Sequence, residues 1–365
     1  MTGKFNFFYR TVIILLAVTS AMLAGAIILW TIGADVTKTY SVIILEPLKN
    51  RIQIGEVIIR AIPLAVIALG ISVAYRSGII NIGAEGQMAM GILAATAAAL
   101  TFPGLPRAVL LPMALIAGAI GGAAWGFLPG LLKAKLHVSE LLSTVMLNYI
   151  AAQFYTFCLR GPMLDPAEIT MGSGTPQSMR LTKAVWLDRL IPGTRIHTGV
   201  YIAIALAFII WLLLWRTSWG YRMRAAGACE RAARYGGISV PGCLVASMMI
   251  SGALAGLAGA VEVAGVHRRA IEGITGGYGF SGIVVALFGG LHPAGIIPAS
   301  FFFGLLIVGA DMTQRMAGVP ANMVLVLQGV IILVIVATRM VLANPYIADR
   351  VRQRYRRLTG RNREA

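Results

Sequence analysis

The sequence predicts an all-α polytopic membrane protein with about ten transmembrane helices. Three observations carry that expectation. Of the 365 residues, 58% are hydrophobic and only 12% charged, against roughly a quarter charged in a soluble domain. Apolar stretches long enough to cross hydrocarbon, about 20 residues at about 1.5 Å each, recur along the whole chain and hold its mean hydropathy at +0.80. Basic residues gather in short segments between those stretches, as the positive-inside bias predicts.

In order, the spans read as 11–33, 57–75, 83–101, 108–131, 138–159, 198–215, 243–265, 278–291, 294–311 and 320–340. The first follows Lys4 and Arg10 and is long for a signal-peptide core, so it reads as an uncleaved helix, with "SAMLAGA" as the competing cleavage site. An even number of spans puts both termini on one side. The tail makes that side cytoplasmic, setting Arg350, Arg352, Arg354, Arg356, Arg357, Arg361 and Arg363 against Asp349 and Glu364. The net charge of +17 therefore reports orientation and anionic-lipid contact, not nucleic-acid binding. Inner loops then hold Arg76, Lys133, Lys135 and the stretch from Arg216 to Arg234. The segment 160–197, mixed in charge and rich in proline and glycine, becomes a structured extracytoplasmic cap. The whole reads as one membrane domain, 1–345, followed by a basic cytoplasmic tail, 346–365.

Spans 2–5 and 7–10 run in opposite senses, and each set has a short, glycine-rich span second in order, 83–101 and 278–291. Inverted repeats with interrupted helices at matching positions are a recurring transporter design, with the substrate path at the repeat interface.

Polar groups inside spans are costly in hydrocarbon and face a cavity or a partner. The candidates are Glu85 and Gln87 near span 3, Glu140 and Asn148 in span 5, Glu262 in span 7 and Gln328 in span 10. Glu140 lies close enough to Lys135 and His137 to pair with either, while Asn148 and Gln328 fit helix-to-helix hydrogen bonds equally well. Asn81 and Glu85 are four apart and can share a helical face, with Gln87 pointing elsewhere. Glu85 either faces substrate or braces a helix break. Glycine stripes at Gly118, Gly122, Gly126 and Gly130, and at Gly252 and Gly256, suit close helix packing, with a pore lining or subunit contact as alternatives.

After span 6 the segment 216–242 carries Arg216, Arg222, Arg224, Arg231 and Arg234 with Glu230. It reads as a short amphipathic helix, about 225–235, at the inner surface, either resting on lipid or docking a cytoplasmic partner. Chemistry is absent from the pattern. Cys158, Cys229 and Cys243 lack metal or disulfide spacing, and His137, His197, His267 and His292 fall at span ends or loops. No catalytic, metal or cofactor motif occurs, and no G-x-x-x-x-G-K-[ST] is present to cradle ATP phosphates.

Three segments carry a resemblance: "NIGAEGQ" at Asn81–Gln87, "GYRMRAAGACERAARYGGI" at Gly220–Ile238 and "GYGFSGIVVALFGGLHPAGI" at Gly277–Ile296. In this order they resemble permease subunits of bacterial ABC importers, of the branched-chain amino acid/ribose type. Within it they are most similar to the nucleoside branch paired with basic-membrane-protein-type lipoproteins; ribose-type members usually place an aspartate-leucine-serine version at the first segment. The resemblance spans about residues 5–355. It implies a bacterial inner-membrane permease for nucleosides or related nucleobase compounds, with a sugar or another small polar solute as the alternative cargo. It also implies no catalysis on this chain, two ATPase subunits beneath, a second, paralogous permease chain beside it, and a substrate-binding protein outside. Glycine-broken helices near Asn81–Gln87 and Gly276–Gly282 would line the pathway, which makes Asn81, Glu85, Gln87, Asn148, Glu262, Gly277 and Phe280 its candidate residues. Gly220, Arg224, Gly227, Ala232, Ala233 and Gly237 match the loop that docks on the ATPase, and Glu230 within that loop is a further docking candidate. There Ala228-Cys229-Glu230 stands where the family usually has asparagine or serine followed by proline.

Overall fold

The computed structural model describes residues 19–320 apart from 21 and 173, together with 323, 326, 329, 330 and 334. The tail 346–365 lies outside these residues, as do Gln328, the start of span 11–33 and most of span 320–340. The chain divides into two compact units, Met1–Glu46 with Gly309–Ala365, and Pro47–Val308.

Helices account for nearly all of the described regular structure: α1 (Met22–Thr31), α2 (Val36–Lys49), α3 (Arg51–Arg76), α4 (Ala84–Thr101), α5 (Arg107–Leu136), α6 (Glu140–Arg160), α7 (Pro166–Met171), α8 (Gly199–Arg216), α9 (Ser218–Ala228), α10 (Glu230–Tyr235), α11 (Val240–Glu262), α12 (Tyr278–Phe288) and α13 (Pro293–Met316). Among the described residues, six are long and apolar enough to cross a membrane: α3, α5, α6, α8, α13, and α11 together with the π-helical turn Val263–His267. This is an all-α polytopic membrane protein. Among the described residues, α3–α6, α8 and α11–α13 coincide with the expected spans 2–9 to within a few residues. The main omission is α2, which the span reading passed over because Lys38, Glu46 and Lys49 interrupt its hydropathy.

Local signals explain the boundaries. α5 begins after the extended Pro106 and ends at His137 in the left-handed region, with Lys133 and Lys135 in its last turn where the helix dipole favours cations. Lys133 Nζ also pairs with Glu140 Oε2 at 2.7 Å. The expected partners of Glu140, Lys135 and His137, are displaced because the left-handed turn at His137 brings the preceding helical turn over the start of α6.

The Pro47–Val308 unit is centred on glycine. On α5, Gly118, Gly122, Gly126 and Gly130 are all buried. A Cβ added at Gly122 would strike the Gly252 carbonyl of α11, one at Gly256 the Gly118 carbonyl, and one at Gly91 of α4 the backbone of Gly256. The glycine stripes are therefore packing surfaces on which α4, α5 and α11 meet backbone to backbone. Gly256→Val is expected to destabilise the protein by about 3 kcal/mol, since a branched side chain there has only main chain to displace. Thermal unfolding in detergent reads this out, with Gly104→Ala as the neutral control because nothing lies within 4 Å of a Cβ there.

Candidate functional site

Inside a bilayer every backbone N–H and C=O must find a partner within the protein. Two non-helical stretches therefore stand out: 77–83 before α4 and 268–277 before α12. Asn148, near the middle of α6, makes one bond to the first and one to the start of α4. Its Nδ2 donates to the Ile82 carbonyl and its Oδ1 accepts from the Gly86 N–H, both at 2.9 Å. Because α6 is a membrane-length helix, these bonds set the start of α4 deep within the bundle.

Asn81 is fully buried and makes a local polar knot. Its Oδ1 accepts from the Gly83 N–H at 2.9 Å, and its Nδ2 donates to Gln87 Oε1 and to Ser251 Oγ of α11, both at 2.8 Å. The expected sharing of a helical face by Asn81 and Glu85 does not occur, because α4 begins only at Ala84 and the four-residue spacing has no helix to act through. Asn81 pairs with the equally buried Gln87 instead.

Glu85 reaches the second break. Its Oε1 accepts from the Gly277 N–H at 2.9 Å and its Oε2 from the Gly279 N–H at 2.7 Å. A carboxylate in the first turn of α4 thus caps the start of α12, where free N–H groups and the helix dipole favour negative charge. The approach is close: a Cβ at Gly279 would meet the Glu85 nitrogen and Cα, and Gly277 takes φ +80 as only glycine does readily. Beside this junction Arg60 Nη1 of α3 donates to the Tyr278 hydroxyl at 2.9 Å, and Phe280 is 48% exposed on α12. Asn81, Glu85, Gln87, Asn148 and Gly277 are therefore joined in one junction. Glu262 is only 3% exposed and is paired elsewhere, with His267 Nε2 at 3.4 Å from its carboxylate.

At the Arg76 end of the bundle the segment 216–242 forms two helices, α9 and α10, in place of the single helix expected over 225–235. Cys229 breaks them, with an extended backbone at φ −156 and ψ 105. The Thr217 hydroxyl caps α9 by accepting from Gly220 N–H at 3.1 Å, and Gly220 packs against the end of α8 too tightly for any side chain. α10 closes with Gly237 at φ +74 and the Ile238 N–H bonded to the Ala233 carbonyl at 3.0 Å, the geometry of a glycine-terminated helix. Ala233 is buried, Ala232 exposed, and Glu230 pairs with Arg234 at 2.6 Å. Arg224 is half-buried, with its Nε lacking a hydrogen bond. Tyr235 on α10 is 95% exposed, and Trp219 and Tyr221 on α9 are exposed as well. Gly227 lies against the α3–α4 turn, where a Cβ would collide with the Arg76 carbonyl and come within 2.7 Å of the Gly78 nitrogen.

At the Arg160 end, the segment 160–197 folds over the stretch 268–272. Leu164 bridges Ser178, and Gln177 bridges Ile271. Tyr155 of α6 donates its hydroxyl to the Ile271 carbonyl at 3.0 Å. His197 is buried there, its Nδ1 accepting from the Gly199 N–H at 3.1 Å, and burial pushes its pKa below the usual imidazole value.

Arg60, Tyr278 and the exposed Tyr235 were not singled out from sequence. For Arg60 the signal was present, since it is an ionisable residue inside an apolar helix. For Tyr278 and Tyr235 there was none, because their significance lies in what they touch or leave exposed.

A multi-pass helical protein in which two interrupted helices meet start to start inside the bundle is built as a membrane transport subunit. The chain belongs to the family described as the branched-chain amino acid transport system / permease component, whose model matches residues 53–336. It is 35% identical to the guanosine ABC transporter permease protein NupP of Bacillus subtilis, over 89% of this chain and 92% of that one. It is 34% identical to the nucleoside ABC transporter permease protein NupB of Lactococcus lactis, over 88% and 90%. To the glucose ABC transporter permease protein TsgB13 of Haloferax volcanii it is 32% identical, over 88% and 86%.

Proposed function

We propose that this chain is the permease subunit of an ATP-driven importer for nucleosides or related nucleobase compounds. The observation that carries the reading is its near full-length correspondence to the guanosine and nucleoside permeases. ATP hydrolysis belongs to a separate ATPase, docked on α9–α10, with Arg224, Glu230, Ala232 and Gly237 toward it and the close-packed Gly220, Gly227 and Ala233 holding the two helices in place. A second permease chain completes the pathway, and a substrate-binding protein delivers cargo at the 160–197 cap. Both termini lie in the cytoplasm, and about ten spans include an inverted repeat of spans 2–5 and 7–10. Cargo passes beside the α4–α12 junction. Asn81, Gln87 and Asn148 hold that junction, Glu85 and Gly277 form it, Phe280 offers an aromatic face to a nucleobase, and Glu262 borders the outer end.

The glucose permease relative supports a second reading in which the same machine imports a sugar. Uptake of labelled guanosine and labelled glucose in cells lacking this chain separates the two. Loss of guanosine uptake with glucose uptake intact is expected, and the reverse overturns the cargo assignment. A tagged chain should carry an ATPase through purification. Arg224→Glu combined with Gly227→Val should release it at least about tenfold, an effect of about 1.4 kcal/mol. Absence of any ATPase from the unmodified preparation overturns the importer reading.

A further inference from the structure

Helix α12 is held at both ends by charged side chains that flank one short stretch of chain. At its start, Glu85 binds the Gly277 and Gly279 N–H groups. Just beyond its end, Arg76 Nε donates to the Leu291 carbonyl at 2.8 Å. The carboxylate sits at the positive end of the α12 dipole and the guanidinium at the negative end, so each contact is electrostatically favoured. Arg76 and Glu85 themselves are separated only by the non-helical segment 77–83 and Ala84.

The Arg76 contact is built up on several sides. Its guanidinium lies over Trp215, 4.6 Å from the ring centroid, at the end of α8. The same indole packs on His292, with ring centroids 4.7 Å apart. Leu291 occupies the left-handed region at φ 54, which a branched aliphatic residue adopts only when its surroundings impose it. The Arg76 bond to its carbonyl, and its own N–H bonded to the Ala286 carbonyl at 2.9 Å, are the surroundings that do so.

The two ends differ in what they are fastened to. α4, which carries Glu85, is locked through Gly91 into the glycine contact with α11. Arg76 instead belongs to the turn on which Gly227 of α9 rests, main chain against main chain, with no side chain between them to absorb a displacement. Close-packed contacts of this kind transmit a shift instead of yielding to it.

We propose that α12 is a lever, pivoting at Glu85 and drawn at its far end by Arg76, through which movement of the α9 docking helix at Gly227 opens or closes the pathway. Arg76 is thus a positioning residue that links ATP hydrolysis to transport, and this rests on the importer reading above. ATP-driven movement of α9 presses on the Arg76–Gly78 turn. The turn carries the Leu291 carbonyl with it, and α12 swings about the end that Glu85 fixes.

The test uses the intact transporter, purified through this chain and reconstituted in vesicles. Arg76→Gln should leave the ATPase bound and hydrolysing while uptake per ATP falls at least about tenfold. Arg76→Lys, which keeps the cation and a donor, should recover part of the ratio. A second readout is maleimide labelling of Val284→Cys on α12, in a background with Cys158, Cys229 and Cys243 replaced by serine. Labelling should change on vanadate trapping with Arg76 present and stay constant with Arg76→Gln. An unchanged ratio, or the same labelling change in both backgrounds, overturns the lever. Should Arg76→Gln fail to accumulate, Trp215→Leu removes the platform under the guanidinium and is judged by the same two readouts. Loss of the ATPase from the unmodified complex would instead count against the importer reading.

Discussion

Replacing Glu85 with alanine is expected to abolish uptake and to lower stability by about 2–6 kcal/mol, the largest single-residue effect foreseen for this protein. The range follows from two buried N–H groups, at Gly277 and Gly279, that lose their acceptor at about 1–3 kcal/mol each. A buried N–H left without an acceptor costs as much as a lost hydrogen bond, so the start of α12 must shift to find one. Glu85→Gln retains one acceptor oxygen without the charge and should fall between the two. Thermal unfolding in detergent and substrate uptake measure the two consequences separately. A Glu85→Ala protein that melts and transports like the parent would remove the junction from the mechanism.

Asn148→Leu should have the next largest effect, about 2–5 kcal/mol of stability together with loss of uptake. Leucine is close in size but supplies neither the acceptor for the Gly86 N–H nor the donor for the Ile82 carbonyl. Asn148→Asp keeps the acceptor yet turns a second acceptor toward the Ile82 carbonyl, so it should recover only part of the loss. Melting temperatures that rank the parent first, then Asn148→Asp, then Asn148→Leu would establish that the start of α4 depends on this amide. Equal melting of all three would show that the start of α4 holds without it.

Both residues were legible as anomalies in the sequence, since polar side chains within apolar spans require a reason. What the amide and carboxylate bind was not legible. The partners of Glu85 lie 192 and 194 residues away in the chain, and no local periodicity encodes such a pairing. Asn81 illustrates the same limit at short range. Its pairing with Gln87 depends on the helix starting at Ala84, and boundaries are where sequence patterns are least sharp. The spans themselves were readable because hydrocarbon thickness dictates their length. The short span at 278–291 was readable too, through its glycine content, and it corresponds to the eleven-residue α12. The break at Cys229 was hidden, as alanine and arginine on either side favour helix and nothing local announces an extended residue.

The polar character of the first motif thus reflects the cost of ending a helix inside a membrane. An uninterrupted span satisfies its own backbone, whereas one that starts inside the bundle must borrow donors and acceptors from its neighbours. Asn81, Glu85 and Asn148 supply them.

The glycine contact among α4, α5 and α11 has a consequence for how the protein tolerates its surroundings. Ordinary helix pairs are separated by side chains that can change rotamer, which gives them slack against lateral pressure or a change in bilayer thickness. Here the main chains touch, so that adjustment is missing and the three helices respond to the lipid as one solid post. Compression or thinning of the bilayer is then relieved elsewhere, at the short helices and the loops that join them. Activity should therefore depend on bilayer thickness through α12, while the post keeps its shape.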